Sequence, residues 1–172
     1  MKITAQEEYG LRCLLRLAQA GEGHSLTIPE IAGDEGMSVP YVGKLMAVMR
    51  QAGLIESVRG RAGGYRLAQP PSRIGLGSLL LTLGEPLYDD PGYCERHRGS
   101  ITSGSCVHHN ACTLRGLWQT LEQWIRHTLD QVTLADLMQS EKRVIDLVRD
   151  RLANPAFEAD LPTHSLPLLT PD

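Results

Sequence analysis

The chain has 172 residues, 42 % of them apolar, and a net charge of −3. That apolar share supports a real core, for one medium domain or two small ones. No apolar run approaches the roughly 18 residues of a membrane span, and the opening Met1-Lys-Ile-Thr-Ala-Gln-Glu-Glu lacks the apolar stretch of a secretion signal. A cytoplasmic protein with no membrane partner is expected.

Charge is unevenly spread. Residues 1–73 carry nine Lys/Arg against seven Asp/Glu, and residues 74–172 carry eight against thirteen. An acidic partner therefore suits the first half, through a local patch only.

Taken in chain order, Tyr9, Leu11, Leu14, Leu15 and Leu17 recur at helical spacing and predict a helix over 5–20, ended by Gly21 and Gly23. Thr27-Ile-Pro-Glu30 has capping-box spacing and starts a short helix that runs to about Asp34. Gly36 supplies a turn. Ser38 is expected to cap a third helix, Val39 to about Ala52, with Val42, Leu45, Met46 and Met49 as its apolar stripe. Two short strands follow, Leu54–Val58 and Tyr65–Ala68, joined by the turn Arg59-Gly-Arg-Ala-Gly-Gly64. Tyr65 is either a packing residue of this hairpin or a phosphate donor, and packing is the preferred reading.

Short helices, a Gly turn and a hairpin spell a winged helix-turn-helix. In such a unit the N-terminal part of the third helix meets base edges in the major groove of double-stranded DNA. Ser38, Pro40, Tyr41 and Lys44 lie there, with Arg50 further along, while Arg59 and Arg61 on the wing reach for phosphate or the minor groove. A protein-binding winged helix is the alternative.

Gln69-Pro-Pro-Ser72 is a rigid connector, and Ile74, Leu76, Leu79, Leu80 and Leu83 mark another short helix. The stretch Glu85–Cys112 shows no periodicity, and so long an irregular loop calls for a function or a staple such as a metal centre. From Thr113, the stripe Leu114, Leu117, Trp118, Leu121, Trp124, Ile125, Leu129 and Val132 predicts a long amphipathic helix. Its apolar face exceeds what one small winged unit can cover, so a homodimer on a palindromic operator is expected, against the alternative of an intrachain core helix. Thr133-Leu-Ala-Asp136 caps a short helix, 141–152 reads as a charged helix, and the Pro-containing tail beyond it as disordered.

Cys94, Cys106 and Cys112 lie in or at the edge of the irregular stretch, with eleven and five residues between them. This is not a paired zinc-knuckle spacing. Iron–sulfur ligation, zinc, a thiol switch and incidental cysteines all stay open on spacing alone. His97, His108 and His109 are nearby nitrogen donors. Glu7 and Glu8 favour the dipole of the first helix. Cys13, among core positions, reads as a small hydrophobe. No Gly-rich phosphate loop and no nucleophile–base pair is present, so an enzyme is not expected.

Several segments together resemble the Rrf2 family of bacterial transcription regulators over residues 1–140. They are Met1-Lys-Ile-Thr with Tyr9-Gly-Leu-Arg-Cys-Leu-Leu, Ser38-Val-Pro-Tyr-Val, Arg59-Gly-Arg-Ala-Gly-Gly-Tyr, Cys112-Thr-Leu-Arg-Gly-Leu-Trp118 and Val132-Thr-Leu-Ala-Asp-Leu137. The resemblance implies a mainly α fold with a small β-hairpin wing. It also implies an iron–sulfur cluster at the dimer interface, ligated by Cys94, Cys106 and Cys112, that senses redox, iron or nitric oxide status. Glu8 falls where one branch takes an acidic ligand from the partner subunit. Arg115 and Arg12 occupy positions where other branches place a histidine. The stretched Cys94–Cys106 spacing tips the expected cluster to [2Fe-2S] over [4Fe-4S]. The alternative is a cluster-free regulator that switches by cysteine oxidation or a small ligand. The domain reading is a DNA-binding unit over 1–73, a connecting helix, cysteine loop and long dimer helix over 74–140, and a charged helix with tail over 141–172.

Overall fold

The structure, a computed structural model, describes residues 3–60, 63–86, 88–89, 92–97 and 112–152. Arg61, Cys106, His108, His109 and the tail beyond 152 lie outside the described residues.

Helix α1 (Ala5–Ala20) opens on a capping box: the Glu7 amide donates to Thr4 Oγ1, and the Glu7 carboxylate accepts from the Thr4 amide. Helix α2 (Ile28–Glu35) repeats the device with Thr27 and Glu30 and ends on Gly36 at φ +67°, a left-handed conformation that favours glycine. The Thr27 amide and hydroxyl both donate to the Glu30 carboxylate and hold its pKa below the usual carboxylate range. Helix α3 (Val39–Gln51) starts at Ser38, but the Ser38 side chain makes no capping hydrogen bond. The expected cap fails because the amides it would use are not free: Pro40 has none, and the Tyr41 amide donates to the Ser38 carbonyl at 3.1 Å.

Strands β1 (Ile55–Val58) and β2 (Gly64–Leu67) form the antiparallel hairpin, with Ile55 opposite Leu67 and Glu56 opposite Arg66. Leu26 and Tyr65 exchange two backbone hydrogen bonds, of 2.9 and 2.8 Å, so the segment before α2 is stitched to the wing. Gly64 makes this possible: a Cβ there would run into the Leu26 carbonyl.

A 3-10 turn at Pro71–Arg73 leads into α4 (Leu76–Leu83). Within Glu85–Cys112, read above as irregular, the structure holds a helix, α5 (Gly92–His97). Six residues are too few to show a helical period. Local contacts build it instead: the Tyr93 amide donates to Asp89 O, Arg96 pairs with the Asp89 carboxylate, and the Tyr93 and His97 rings stack. Helices α6 (Thr113–Asp130), α7 (Leu134–Leu137, boxed by Thr133 and Asp136) and α8 (Glu141–Leu152) complete the order.

One core gathers Cys13, Leu14 and Leu17 of α1, Ile31 of α2, the α3 stripe, Leu54 and Ile55, Leu76, Leu79 and Leu83 of α4, and Val132 and Leu134. Tyr65 packs against its edge, as the sequence reading has it. A Gly64→Ala variant should break the Leu26–Tyr65 pairing and lower stability by about 2 kcal/mol, read as a lower urea midpoint at unchanged slope. An unchanged midpoint would show that the stitch does not hold the wing.

Candidate nucleic-acid interface and candidate metal centre

Burial of Val42, Leu45, Met46 and Met49 turns the opposite side of α3 outward. Ser38, Pro40, Lys44 and Arg50 are exposed there. Among the described residues neither Lys44 nor Arg50 makes an ion pair, so both charges are available to an anion. Tyr41 differs from its neighbours. It is half-buried, and its ring meets Tyr9 of α1 edge to face. On the wing, Arg66 is committed to Glu56 across the hairpin at 2.6 Å, whereas Arg59 at the strand end is exposed and makes no described ion pair. Helix α3 and the wing thus present Lys44, Arg50 and Arg59 as uncommitted cations, the residue type that binds phosphate.

The cysteines separate into two kinds. Cys13 is fully buried, and burial first, then the nearby Glu35 charge, pushes its thiol up to about 11. It is a core residue, as the sequence suggested. Cys94 and Cys112 are half-buried free thiols. Cys112 stands at the N-cap of α6, and its Sγ accepts the Arg115 amide at 3.3 Å. The first turn of α6 thus points a backbone donor at this sulfur. Cys94 rides on α5, which the Asp89–Arg96 pair holds in shape. That pair keeps the Asp89 pKa below the usual carboxylate range. His97 follows Cys94 on the same helix and directs Nδ1 at the Tyr93 carbonyl, 2.8 Å away. Sequence reasoning missed the Asp89–Arg96 pair because it joins two residues of a stretch with no periodic signal.

Glu8 is exposed and lines a groove of about 180 Å³ between α1, α4 and α6, with Leu11, Leu80, Ile125, Arg126 and Leu129. Its neighbour Glu7 is committed to Thr4. Arg12 pairs with Glu35 and is not a metal donor. Among the described residues no three His, Cys, Asp or Glu side chains of one chain come together as a metal site. The structure therefore does not gather Glu8, Cys94 and Cys112 within one subunit. Thr27→Ala should cost about 1 kcal/mol of stability and Ser38→Ala almost none, since only Thr27 caps its helix. Equal losses in thermal unfolding would contradict the capping geometry.

The Rrf2 family model, described as "Iron-dependent Transcriptional regulator", matches residues 3–140. Protein rrf2 of Nitratidesulfovibrio vulgaris is 34 % identical over 139 residues, covering 81 % of this chain and 88 % of that protein. The HTH-type transcriptional regulator IscR of Vibrio vulnificus is 30 % identical over 147 residues, covering 86 % and 82 %. Among solved structures, T. potens IscR superimposes with a TM-score of 0.61 at 30 % identity, covering 80 % of this chain and 86 % of that one. CymR, the global cysteine regulator of B. subtilis, gives 0.61 at 27 %, covering 80 % and 96 %. These relatives carry the names of regulators and not of enzymes. With its winged helix-turn-helix and this match over most of its length, the chain belongs to the Rrf2 family of transcriptional regulators.

Proposed function

We propose that this regulator is a cytoplasmic homodimer that reads a palindromic DNA site and senses redox, iron or nitric oxide status through an iron–sulfur cluster between its subunits. The observation that carries the sensing half is Cys112: a free, half-buried thiol at a helix N-cap with an amide aimed at its sulfur. Cys94 and Cys106 complete the thiol set, and Glu8 of the second subunit supplies the remaining donor. The residues fit a thiolate-bound iron centre in donor chemistry, and the family description names iron dependence. When bound, the cluster would supply a redox-active, nitric-oxide-reactive centre whose loss, oxidation or nitrosylation would be the signal.

The protein's own part is geometric. Helix α6 buries none of its residues fully, and Leu114, Leu117 and Trp124 are 58 %, 49 % and 36 % exposed. An amphipathic helix of 18 residues with Leu114, Leu117 and Trp124 of its stripe in water suits a second copy packed along it. Cys112 starts that helix, and Glu8 lies in the groove beside it, so a dimer along α6 can bring the thiols of one subunit to the α1 of the other. The DNA surface is formed by Ser38, Pro40, Tyr41, Lys44, Arg50, Arg59 and Arg61, with Tyr41 contributing from a half-buried position.

Cys94 and Cys112, both free and half-buried, favour a second reading, in which they act as oxidisable thiols or the groove takes a small ligand. Iron and acid-labile sulfide analysis after anaerobic purification separates the two. About two of each per site is expected for [2Fe-2S], and about four would shift the centre to [4Fe-4S]. Cys112→Ala should abolish the visible absorption while the dimer persists. Protein without iron or sulfide after reconstitution would establish the cluster-free reading. For the DNA surface, Lys44→Ala and Arg59→Ala should each weaken duplex binding and reduce the slope of log affinity against log salt by about one. An unchanged slope would remove that residue from the phosphate contacts.

A further inference from the structure

The first half of α1 carries exposed Glu8, Tyr9 at the edge of its core face, and Arg12. Residues three and four apart are neighbours on a helix surface, so Arg12 lies beside both Tyr9 and Glu8. The Tyr9 ring meets Tyr41 of α3 with centroids 5.9 Å apart and planes at 90°. The Arg12 guanidinium sits 5.5 Å from the Tyr9 centroid. Its Nε donates to Glu35 Oε2 at 2.8 Å and its Nη2 to Glu35 O at 3.0 Å. Glu35 is the last residue of α2, directly before the left-handed Gly36 that turns the chain towards α3.

One strip of α1 therefore touches both parts of the helix-turn-helix. It reaches the reading helix through Tyr41 and the turn through Glu35. Tyr41 stands in the first turn of α3, the end that carries Ser38 and Lys44 and from which a winged unit reads bases. Arg12 is 40 % exposed, so a bare ion pair there would be weak. Its three simultaneous contacts, to a carboxylate, a carbonyl and a ring, fix the guanidinium where one would not.

We propose that Tyr9 and Arg12 are positioning residues for DNA reading. They set the pose of the first turn of α3 through Tyr41 and of the turn before it through Glu35. The inference rests on the DNA-reading function above.

The test uses the full-length dimer and two probes. One is a duplex selected by the wild-type chain from a random pool, and the other is a random duplex of equal length. Tyr9→Leu and Arg12→Gln should each lower the ratio of selected to random affinity about fivefold or more, within the range seen for coupling residues. Affinity for the random duplex should hold, because Lys44, Arg50 and Arg59 are untouched. Tyr9→Phe should keep the ratio, since the edge-to-face contact needs the ring and not the hydroxyl. An equal loss on both duplexes, or an unchanged ratio in Arg12→Gln, overturns the inference. Arg12→Gln decides the matter if Tyr9→Leu fails to fold. A wild-type chain that selects no sequence overturns the DNA-reading function itself and the inference with it.

Discussion

Burial of one face of α1 is the constraint on which the rest of the structure depends. Cys13, Leu14, Leu17 and Ala18 are inaccessible to solvent or nearly so, and the partly buried Tyr9, Leu11 and Leu15 extend their contact with the core. Fully burying an aliphatic side chain stabilises by about 1.5–3 kcal/mol, so this face outweighs any single polar contact in the molecule. The close fit shows at Gly10, where a Cβ would lie 2.6 Å from the Leu83 side chain. Helix α1 thus has no freedom to turn against α4 without opening the core. Its outer residues are held at fixed positions as a consequence, and those residues face the proposed sensing groove on one side and the reading helix on the other.

Polar contacts then refine what burial sets. The ion pairs Arg16–Asp34 and Arg66–Glu56 are well exposed and contribute little to stability. Their value is in orientation, because each removes a cation from the set available to DNA. The joint between α4 and α6 is more demanding. Asp130 accepts the Ser78 amide near the start of α4, and a side chain at Gly77 would collide with it. The end of α6 is thereby tied to the same α4 that packs on α1, while its first turns carry Cys112 and the exposed apolar stripe. A helix anchored at one end and apolar in water at the other is incomplete alone, which is the physical basis for placing a second copy there.

The helices with long apolar stripes and the hairpin with its Gly-rich turn were legible in the sequence because local periodicity and φ-permissive residues encode them directly. The capping boxes at Thr27 and Thr133 were legible for the same reason, being defined by residues three apart. Ser38 misled, since the cap its identity promises needs a free amide, and Pro40 has none while the Tyr41 amide donates to the Ser38 carbonyl. Helix α5 escaped notice because six residues carry no period and its stability comes from the Asp89–Arg96 and Tyr93–His97 contacts.

For the candidate site the division is sharper. The sequence by itself determined the donor types, the basic wing and the family. Those are properties of residue identity and spacing, and spacing survives without a fold. Only the tertiary structure decided how each side chain is spent: Cys13 buried in the core, Cys112 at a helix N-terminus with an amide on its sulfur, and Arg66 tied to Glu56 while Arg59 stays uncommitted. It also joined Tyr9 and Arg12 to Tyr41 and Glu35, contacts that span 23 to 32 residues of chain. Such pairings depend on which helix faces pack together. That choice is made by the burial of the whole core, and no local stretch of sequence carries it.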